Sequence, residues 1–328
     1  MSTRAFRAYG STGARETAVA VGPGGLPDDP SIPALAAVAS RGIAAVLTDL
    51  GVAGAAGGEV TLLKYHAASR CTFHAPTAGG GVAVKAYASD PASIVDVLRR
   101  LAEQGIAGGS PPTVAPLVAW DPALRVIVTR WFDAPCALDL IASGAGARAG
   151  ELAAAWLRRA AQLAVTRGQR YATEDALRNA RSRAHILARL DAGLGAAARS
   201  VAGALADRPP AERALSALHG SLYAAHVFDL GTGPGVIDWD RFRLGALEAD
   251  AGMFEATVTR ASLDRALAGQ AAAALAAFRR GIEDLVDTRA LSWHRAVALL
   301  RLARRVAGRR EGEWRRDAAA LIAAAPER

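Results

Sequence analysis

The side chains best suited to chemistry lie in two short segments of the last third of the chain. His219, Ser221 and His226 fall within eight residues, and Asp238 and Asp240 follow about a dozen residues later. The Gly- and Pro-rich stretch between the segments separates two short apolar runs, which predicts a β-hairpin. Such a hairpin would bring positions 221, 226 and 238 to one rim. A hydroxyl, an imidazole and a carboxylate at one rim can contact a metal ion or a phosphate, or orient a substrate hydroxyl.

The two segments read H-G-S-x-x-x-x-H and I-D-W-D. This spacing resembles the catalytic core of the aminoglycoside phosphotransferase and choline kinase superfamily, which reads H-G-D-x-x-x-x-N and then I-D-[WF]-[DE]. In kinase-type sites the loop Asp accepts the proton of the acceptor hydroxyl, while the Asn and the second Asp hold Mg²⁺ against the phosphates of ATP. The resemblance implies that His219 orients the loop and that Asp238 binds metal. Ser221 and His226 then occupy the Asp and Asn positions.

Both replacements alter the expected chemistry. A serine hydroxyl is not a base near neutral pH, and loss of a positioned general base costs about 10²–10⁴ in rate. Mg²⁺ prefers oxygen ligands, so the imidazole of His226 is a poor substitute for an amide oxygen. His226 could instead hydrogen-bond a phosphate, with a charge that titrates near neutrality. Asp240 would supply a substitute carboxylate if the strand that carries Asp238 continues.

A single lysine is the second anchor of the resemblance. Only two of the 39 basic residues are lysines, Lys64 and Lys85, and the excess of Ala, Gly and Arg indicates a GC-rich, bacterial genome. Lys85 ends the run G-V-A-V-K, which resembles the V-A-I-K strand whose lysine reaches the α- and β-phosphates. The alternative is an exposed strand lysine. On the helix predicted next, Asp96 and Glu103 face away from the apolar stripe, and neither is a convincing partner for Lys85.

The segments around Lys85 predict a small antiparallel sheet. Three strand-like runs, residues 60–65, 70–74 and 81–87, follow one another with short turns, and residues 114–119 and 124–131 add two more. By resemblance, the connection over residues 65–70 would cover the phosphates of the nucleotide. A helix is predicted before the sheet, over residues 32–50.

The linker after the last predicted strand matches the hinge of the family. Residues 132–136 read F-D-A-P-C. The resemblance implies that adenine hydrogen-bonds backbone groups of Arg130, Trp131 and Phe132, with Thr129 behind the ring. ATP and Mg²⁺ are therefore the expected cofactors.

The predicted fold class is α+β, a bilobal protein-kinase-like fold with a small antiparallel-sheet N-lobe and a larger helical C-lobe. Residues 1–57 would form an N-terminal extension with one or two helices. Residues 58–135 would form the N-lobe and hinge, and residues 136–328 the helical C-lobe with the catalytic hairpin. Apolar residues at helical spacing over residues 152–163 and 174–206 support this division. The later family motif G-D-P-x-x-D keeps only its last acid, Asp250.

The net charge of +8 and the pI near 10.2 raise the question of nucleic acid. Because acids are interspersed among the arginines, solvated helix faces explain the charge better. The densest basic cluster is Arg301, Arg304, Arg305, Arg309, Arg310, Arg315 and Arg316. Family members that phosphorylate aminoglycosides use acidic surfaces for these cationic substrates, so the resemblance implies a neutral or anionic small-molecule ligand here. The oligomeric state stays open.

Localisation follows from weaker signals. The sequence contains no uncharged apolar run of 18 residues, and its start lacks the pattern of a signal peptide, so no membrane partner is expected. Cys71 and Cys136 are far apart and have neither the spacing of a zinc site nor that of a disulfide scaffold. A reduced, cytoplasmic setting is the prediction.

Three functions could use these residues. A serine hydrolase using Ser221 with His219 or His226 is disfavoured, because the second Gly of G-x-S-x-G is missing. The favoured function is an aminoglycoside phosphotransferase-like protein that binds nucleotide with weak or no phosphotransfer, in the manner of a pseudokinase. The alternative is an active ATP-dependent kinase that phosphorylates a hydroxyl of a neutral or anionic metabolite.

Overall fold

The structure is a computed structural model that describes residues 25–52, 54, 60–164 and 167–325. The chain divides into two units, Met1–Ala134 and Pro135–Arg328. Much of the predicted N-terminal extension, residues 1–24, 53 and 55–57, lies outside the described residues.

The first unit is built on a five-stranded antiparallel sheet. Its strands in chain order are β1 (Thr61–His66), β2 (Arg70–Ala75), β3 (Val82–Tyr87), β5 (Leu117–Asp121) and β6 (Val126–Arg130), and their spatial order is β1-β2-β3-β6-β5; the two-residue β4 (Thr113–Val114) precedes β5. Burial alternates along β2 and β3, as expected of a sheet with one face against a core. The three successive hairpin strands predicted from the sequence are therefore present.

Two short helices cover the buried face of this sheet. Helices α1 (Pro33–Arg41) and α2 (Ile43–Asp49) contribute Leu35 and Leu47 to a core that also contains Phe73 and Val84 of the sheet. The helical stretch predicted over residues 32–50 is therefore two helices rather than one. Gly42 has φ +80°, and this left-handed backbone ends α1. Helix α3 (Ala92–Glu103) begins where Asp90 accepts a hydrogen bond from the N–H of Ala92 at 2.9 Å.

The second unit is mostly helical. Its helices are α4 (Ala137–Ala142), α5 (Gly146–Ala160), α6 (Thr173–Leu190), α7 (Ala192–Asp207), α8 (Glu248–Ala261), α9 (Ala268–Ile282), α10 (Thr288–Arg309) and α11 (Trp314–Ala323). Its strands are β7 (Arg170–Tyr171), β8 (Ser216–Leu218), β9 (Val227–Asp229), β10 (Pro234–Val236) and β11 (Arg243–Gly245). An antiparallel sheet unit followed by a helical unit confirms the predicted α+β class.

The helical run predicted over residues 174–206 is two helices. Asp191 between α6 and α7 has an extended backbone with φ −158°, and its carboxylate accepts the N–H of Leu194 at 3.1 Å. Aspartate is favoured at this N-cap position because it satisfies an N–H that the helix leaves unpaired. Apolar spacing continued through the break, so the pattern alone missed it.

Helix α10 runs through the core of the second unit. The indole N–H of Trp293 donates to the carbonyl of Leu205 at 2.9 Å, which joins α10 to α7. Helices α5 and α9 approach so closely that a Cβ on Gly150 would lie 2.1 Å from the carbonyl oxygen of Ala274. Across the part of the chain that is described, no helix combines the length and apolar character needed to cross a bilayer.

Candidate active site

The loop between β8 and the short 3₁₀ turn Ala224–His226 is held by one buried carboxylate. Asp250, at the start of α8, accepts the N–H of His219 at 2.6 Å and the N–H of Gly220 at 2.9 Å. Burial raises the pKa of Asp250 above its ordinary value. His219 and the backbone N–H donors act in the opposite direction but do not cancel this effect. The retained acid of the G-D-P-x-x-D motif thus fixes the backbone of the candidate catalytic loop.

Gly220 allows the loop to make its turn. Its φ is +74°, and a Cβ at this position would lie 1.9 Å from the carbonyl oxygen of Arg241. Only glycine combines the left-handed backbone with this close approach. The glycine of H-G-S therefore has a structural role in the loop.

His219 is locked in one tautomer by its neighbours. Its Nε2 lies 2.7 Å from the carbonyl oxygen of Ile237, so this nitrogen carries the hydrogen and donates it. Nδ1 then accepts the N–H of Ser221 at 3.3 Å. The ring is buried, and its centroid lies 4.9 Å from that of Trp239. His219 thereby connects the loop to the end of the hairpin. Its orienting role in catalysis stays a prediction.

Ser221 offers no strong base at the position of the family's catalytic Asp. Its side chain is buried, and its Oγ lies 3.5 Å from Nδ1 of His219. That nitrogen already accepts a backbone N–H, and the other ring nitrogen faces a carbonyl rather than a carboxylate. A serine nucleophile would need a base oriented by an acid. The contacts of Ser221 therefore argue against a hydrolase as well as against a kinase base.

His226 and Asp238 converge at the rim of the hairpin. Nδ1 of His226 donates to the carbonyl oxygen of Ser221 at 3.1 Å, which leaves Nε2 directed at Asp238 Oδ2, 3.4 Å away. The rim predicted from the sequence thus exists, with positions 221, 226 and 238 in contact through these bonds. Asp238 has φ +72°, a left-handed backbone conformation that is uncommon for residues other than glycine.

These two side chains decide which metal the rim suits. Asp238 provides an oxygen ligand, as Mg²⁺ requires, but the nitrogen of His226 suits later transition metals better. A hydrogen bond from the far nitrogen of an imidazole to a carbonyl is typical of metal-binding histidines. Within the described residues, no group of three or more His, Cys, Asp or Glu side chains could hold a metal ion. A bound metal would therefore also need ligand oxygens from a nucleotide or water.

Asp240 does not lie on a strand with Asp238, which was the condition for its predicted role as a substitute metal ligand. Strand β10 ends at Val236, and Asp240 lies in the turn that follows. Alternation along a strand therefore does not align it with Asp238. Its role as a substitute metal ligand stays a prediction.

The remaining predicted site residues belong to the first unit. Lys85 is half-buried in the middle of β3, opposite Thr72 of β2 and Ile127 of β6. Thr129 of β6 lies opposite Ala83 of β3 in the antiparallel pairing of these strands. The Trp131 N–H donates to the carbonyl of Gly81 at 3.2 Å.

The hinge segment leaves the sheet at this point. Arg130 donates from Nη1 to the carbonyl of Gly79 at 3.2 Å, and its backbone N–H donates to Pro116 at 3.0 Å. Phe132 is half-buried, one residue beyond Trp131. The adenine contacts assigned to Thr129, Arg130, Trp131 and Phe132 stay predictions.

An aspartate that the sequence did not single out pins the predicted phosphate-covering turn. Asp29 Oδ2 accepts the hydroxyl of Tyr65 at 2.9 Å and the N–H of Ala68 at 2.8 Å. Ala68 has φ +52°, so the turn is held in a strained backbone conformation. The motif could not reveal this contact because Asp29 lies more than 30 residues before the turn.

The predicted basic cluster divides into two groups. Arg315 and Arg316 form surface ion pairs, with Asp191 and with Asp317 respectively, as expected of a solvated face. Arg301 and Arg305 differ, because their guanidinium carbons lie 5.5 and 5.4 Å from the ring centroid of Tyr223 in the candidate loop. Tyr223 was missed by the sequence analysis, since the resemblance assigns no chemistry to that position.

The two cysteines have no reactive surroundings. Cys71 and Cys136 are free and buried, and burial raises the pKa of each thiol to about 12.

Comparison with known proteins gives results in agreement with this geometry. The family described as "Phosphotransferase enzyme family" matches residues 83–283, well over half of the chain. Comparison with curated protein sequences found no match.

Solved structures with the same fold include three small-molecule kinases or their relatives. A choline/ethanolamine kinase family protein from Mesorhizobium loti is 19% identical, with a TM-score of 0.55 over 86% of this chain and 92% of that one. A spectinomycin phosphotransferase in complex with ADP and spectinomycin is 14% identical, with a TM-score of 0.58 over 86% and 96%. An amicoumacin kinase in complex with AMP-PNP, Ca²⁺ and Ami is 11% identical, with a TM-score of 0.57 over 88% and 95%. The predicted protein-kinase-like fold is confirmed.

Proposed function

The chain belongs to the phosphotransferase enzyme family, and from this premise we propose that it binds a nucleotide but transfers phosphate weakly or not at all. The observation that carries the proposal is the pair of side chains at the loop. A buried serine hydroxyl stands where the family has its base, and an imidazole nitrogen faces Asp238 where the family has an amide oxygen.

The expected loss of rate follows from the chemistry of proton transfer. An acceptor hydroxyl must give up its proton as the phosphorus–oxygen bond forms. Ser221 can accept a hydrogen bond from that hydroxyl and orient it, but cannot take its proton near neutral pH. Absence of a positioned base costs about 10²–10⁴ in rate. In our proposal His226 does not replace the base, because its Nδ1 donates to the carbonyl of Ser221 and its Nε2 is directed at Asp238 rather than toward an acceptor hydroxyl.

Nucleotide binding uses residues that the replacements leave in place. In our proposal Lys85 binds the α- and β-phosphates, Asp238 holds the metal, and backbone groups of residues 130–132 bind adenine, with Thr129 behind the ring. The amicoumacin kinase and spectinomycin phosphotransferase structures were solved with a nucleotide or its analogue, which supports this part of the proposal. The metal supplies charge neutralisation at the phosphates when it is bound.

The second candidate is an active kinase acting on a hydroxyl of a neutral or anionic metabolite. The observation in its favour is the intact support of the loop. Asp250 still binds two loop N–H groups, Gly220 keeps its demanding turn, and Asp238 keeps its strained backbone. A loop without any function would be free to lose these costly features. On this alternative, Ser221 and His226 would be a working replacement for the family's pair.

A thermal-shift titration with ATP, ADP and GTP, with and without Mg²⁺ and Mn²⁺, tests nucleotide binding. We expect ATP and ADP to raise the melting temperature of the wild-type protein, and Lys85→Ala to abolish the rise. The matched control is Lys64→Ala, a change of the chain's other lysine, which should keep it. An equal rise in the Lys85 variant would place the nucleotide elsewhere and overturn the proposed site.

A further inference from the structure

A group of arginines in the second unit surrounds a cavity beside the candidate loop. The cavity has a volume of about 130 Å³, and Arg183, Arg241, Arg243 and Arg301 border it together with Gly220 of the loop. Engineered cavities of roughly 150 Å³ admit a molecule the size of benzene. The cavity can therefore hold one phosphate or carboxylate group, but not a whole drug-sized ligand.

The positive charge around this cavity is poorly compensated. In the described part of the chain, Arg183, Arg243 and Arg301 form no salt bridge with a carboxylate, whereas Arg279 of the same unit binds Glu255 through two bonds of 2.7 and 2.9 Å. Asp250 also borders the cavity, but both of its oxygens accept backbone N–H groups of the loop. Arg183, Arg243 and Arg301 thus border the cavity without a carboxylate in salt-bridge contact, although burying a guanidinium group is costly unless an acid pairs with it.

Burial and neighbouring positive charges lower the pKa of two arginines in this unit, Arg183 at the cavity and Arg309 elsewhere on α10. Burial, and then the charges of Arg301 and Arg304, lower the pKa of Arg183 to about 10. Burial, and then the charges of Arg305 and Arg260, lower the pKa of Arg309 to about 10, and its Nη2 is buried without a hydrogen-bond partner. Both side chains remain charged at neutral pH, so the positive potential persists.

The geometry of the guanidinium groups suits an oxyanion. Arg183 donates from Nη1 to the carbonyl of Val297 at 3.1 Å, and Arg301 donates from Nη1 to the carbonyl of Gly220 at 3.3 Å. These bonds fix the direction of each planar fork while using one of its five N–H donors. Forks held in this way bind carboxylate and phosphate groups with two parallel bonds.

The other side chains at the cavity add no opposing charge. Asn179 and Tyr171 are neutral and able to donate hydrogen bonds, and Leu218 and Met253 are apolar. Burial lowers the pKa of His294 to about 4, so this ring is neutral at physiological pH. The lining is therefore basic overall, with polar groups suited to orienting a small anion.

The cavity is connected to the candidate rim through Tyr223. Arg301 lies over the Tyr223 ring, and the ring meets His226 edge-on with centroids 5.1 Å apart. Burial alone would raise the pKa of Tyr223, but the charges of Arg301 and Arg305 outweigh it and lower this pKa. An anion bound at the arginines would thus change the electrostatic environment of Tyr223, whose ring packs on His226.

We propose that Arg183 and Arg301, with Arg241 and Arg243 around them, bind the phosphate or carboxylate group of a small-molecule ligand beside the candidate loop. The assignment of this ligand as the phosphate acceptor rests on the proposed function, whereas anion binding itself does not. The site therefore narrows the ligand class from neutral or anionic to anionic.

Titration calorimetry with inorganic phosphate and with citrate, without nucleotide and at ionic strength held constant with NaCl, tests the site. We expect saturable binding of one anion per chain. Arg183→Gln and Arg301→Gln should each weaken it by about tenfold or more, as expected for a charge-assisted hydrogen bond. The matched control is Arg289→Gln, an exposed arginine at the start of the same helix as Arg301, which should leave the affinity unchanged. The two anions distinguish a phosphate-bearing from a carboxylate-bearing ligand.

Two further measurements keep the outcome interpretable. Because each Arg→Gln change relieves repulsion between like charges, the melting temperature without anion should be kept or raised, whereas a purely structural arginine would lower it. If Arg301→Gln does not fold, Arg301→Lys replaces it in the test. This variant keeps the charge and should retain part of the affinity. The inference would be overturned if the wild type showed no saturable binding, or if both Gln variants bound the anion with the wild-type affinity. Anion binding lost in Lys85→Ala instead would assign the anion to the nucleotide site, and the ATP titration tests that site separately.

Discussion

At the residue scale, position 226 sets the choice of metal in the proposed nucleotide site. An imidazole nitrogen and one carboxylate oxygen face each other across 3.4 Å, and the far side of the imidazole is bound to the carbonyl of Ser221. Imidazole affinity for divalent metals rises from Mn²⁺ through Co²⁺ to Ni²⁺, whereas Mg²⁺ gains little from a nitrogen ligand. We therefore propose that a metal at this rim is a different ion from the one that the family pattern implies.

We accordingly expect ADP to bind more tightly with Co²⁺ than with Mg²⁺, by about tenfold, the lower end of the effect of metal-site changes. His226→Asn restores an amide oxygen and should reverse the preference. Calorimetry gives the affinities, and the visible absorption of Co²⁺ reports nitrogen ligation independently of activity. A Co²⁺ spectrum that is identical in wild type and variant would show that His226 is not a ligand.

A second histidine makes stability depend on pH. His294 on α10 is buried, and burial lowers its pKa from the ordinary 6.5 to about 4. The unfolded chain therefore takes up a proton at a higher pH than the folded chain does. The contribution of neutral His294 to stability is complete above pH 6.5 and is lost as the pH falls toward 4.

We expect this residue to account for a loss of about 3 kcal/mol in the free energy of unfolding between pH 7 and pH 4. His294→Gln should flatten that part of the profile in urea denaturation. His185→Gln, at an exposed position on α6, is the control and should leave the profile unchanged. A wild-type slope that survives in the His294 variant would assign the pH dependence to other groups.

At the scale of elements, the hairpin and its flanking loop were predictable because their signals are local. A Gly- and Pro-rich turn between two apolar runs produces β9 and β10, and the spacing of the motif places His226 near Asp238. Contacts between distant parts of the chain were not predictable in this way. Asp250 binds the loop across 31 residues, and Arg301 binds it across 81.

Helix boundaries were missed for a related reason. Gly42 and Asp191 each interrupt an apolar pattern that continues on the other side, so periodicity predicted one helix where there are two. The decisive information was the local backbone preference of a glycine and the capping ability of an aspartate. Both are weaker signals than a hydrophobic stripe.

The turn between β1 and β2 depends on Asp29 in the segment before α1. Burial alone would raise the pKa of Asp29, but hydrogen bonds from Ser31, Ala68 and Tyr65 outweigh it and lower this pKa. The stabilising effect of the carboxylate is therefore complete above the ordinary pKa of 3.8 and is lost as the pH falls below it.

We expect Asp29→Ala to lower the free energy of unfolding by about 2 kcal/mol or more, because it leaves the N–H of Ala68 and the hydroxyl of Tyr65 without their acceptor. The neighbouring exposed Asp28 provides the control, and Asp28→Ala should change stability by less than about 0.5 kcal/mol. Chemical denaturation at pH 7 measures both. Equal effects of the two changes would mean that the contacts of Asp29 do not stabilise the turn.

At the scale of the whole molecule, the family and fold were predicted from few residues. The motif around His219 and the strand with Lys85 led to the phosphotransferase family, which the match over residues 83–283 shows. The identities of 11–19% with the solved structures explain why the acceptor could not be predicted, since acceptor contacts come from side chains that such divergence replaces. In our proposal the arginines around the cavity, brought together from α6, α10 and the segment before α8, are such side chains.

The central claim is that Ser221 and His226 limit phosphotransfer in an otherwise intact loop. The most direct measurement is the rate of ATP hydrolysis, with water as the acceptor, in the wild type and in the double variant Ser221→Asp and His226→Asn. We predict a rate near background for the wild type and a gain of up to about 10²-fold in the variant, because a base and an oxygen ligand return at the family's spacing. A folded double variant without any gain, or a wild type that turns over rapidly and is inactivated by the double change, would contradict this account.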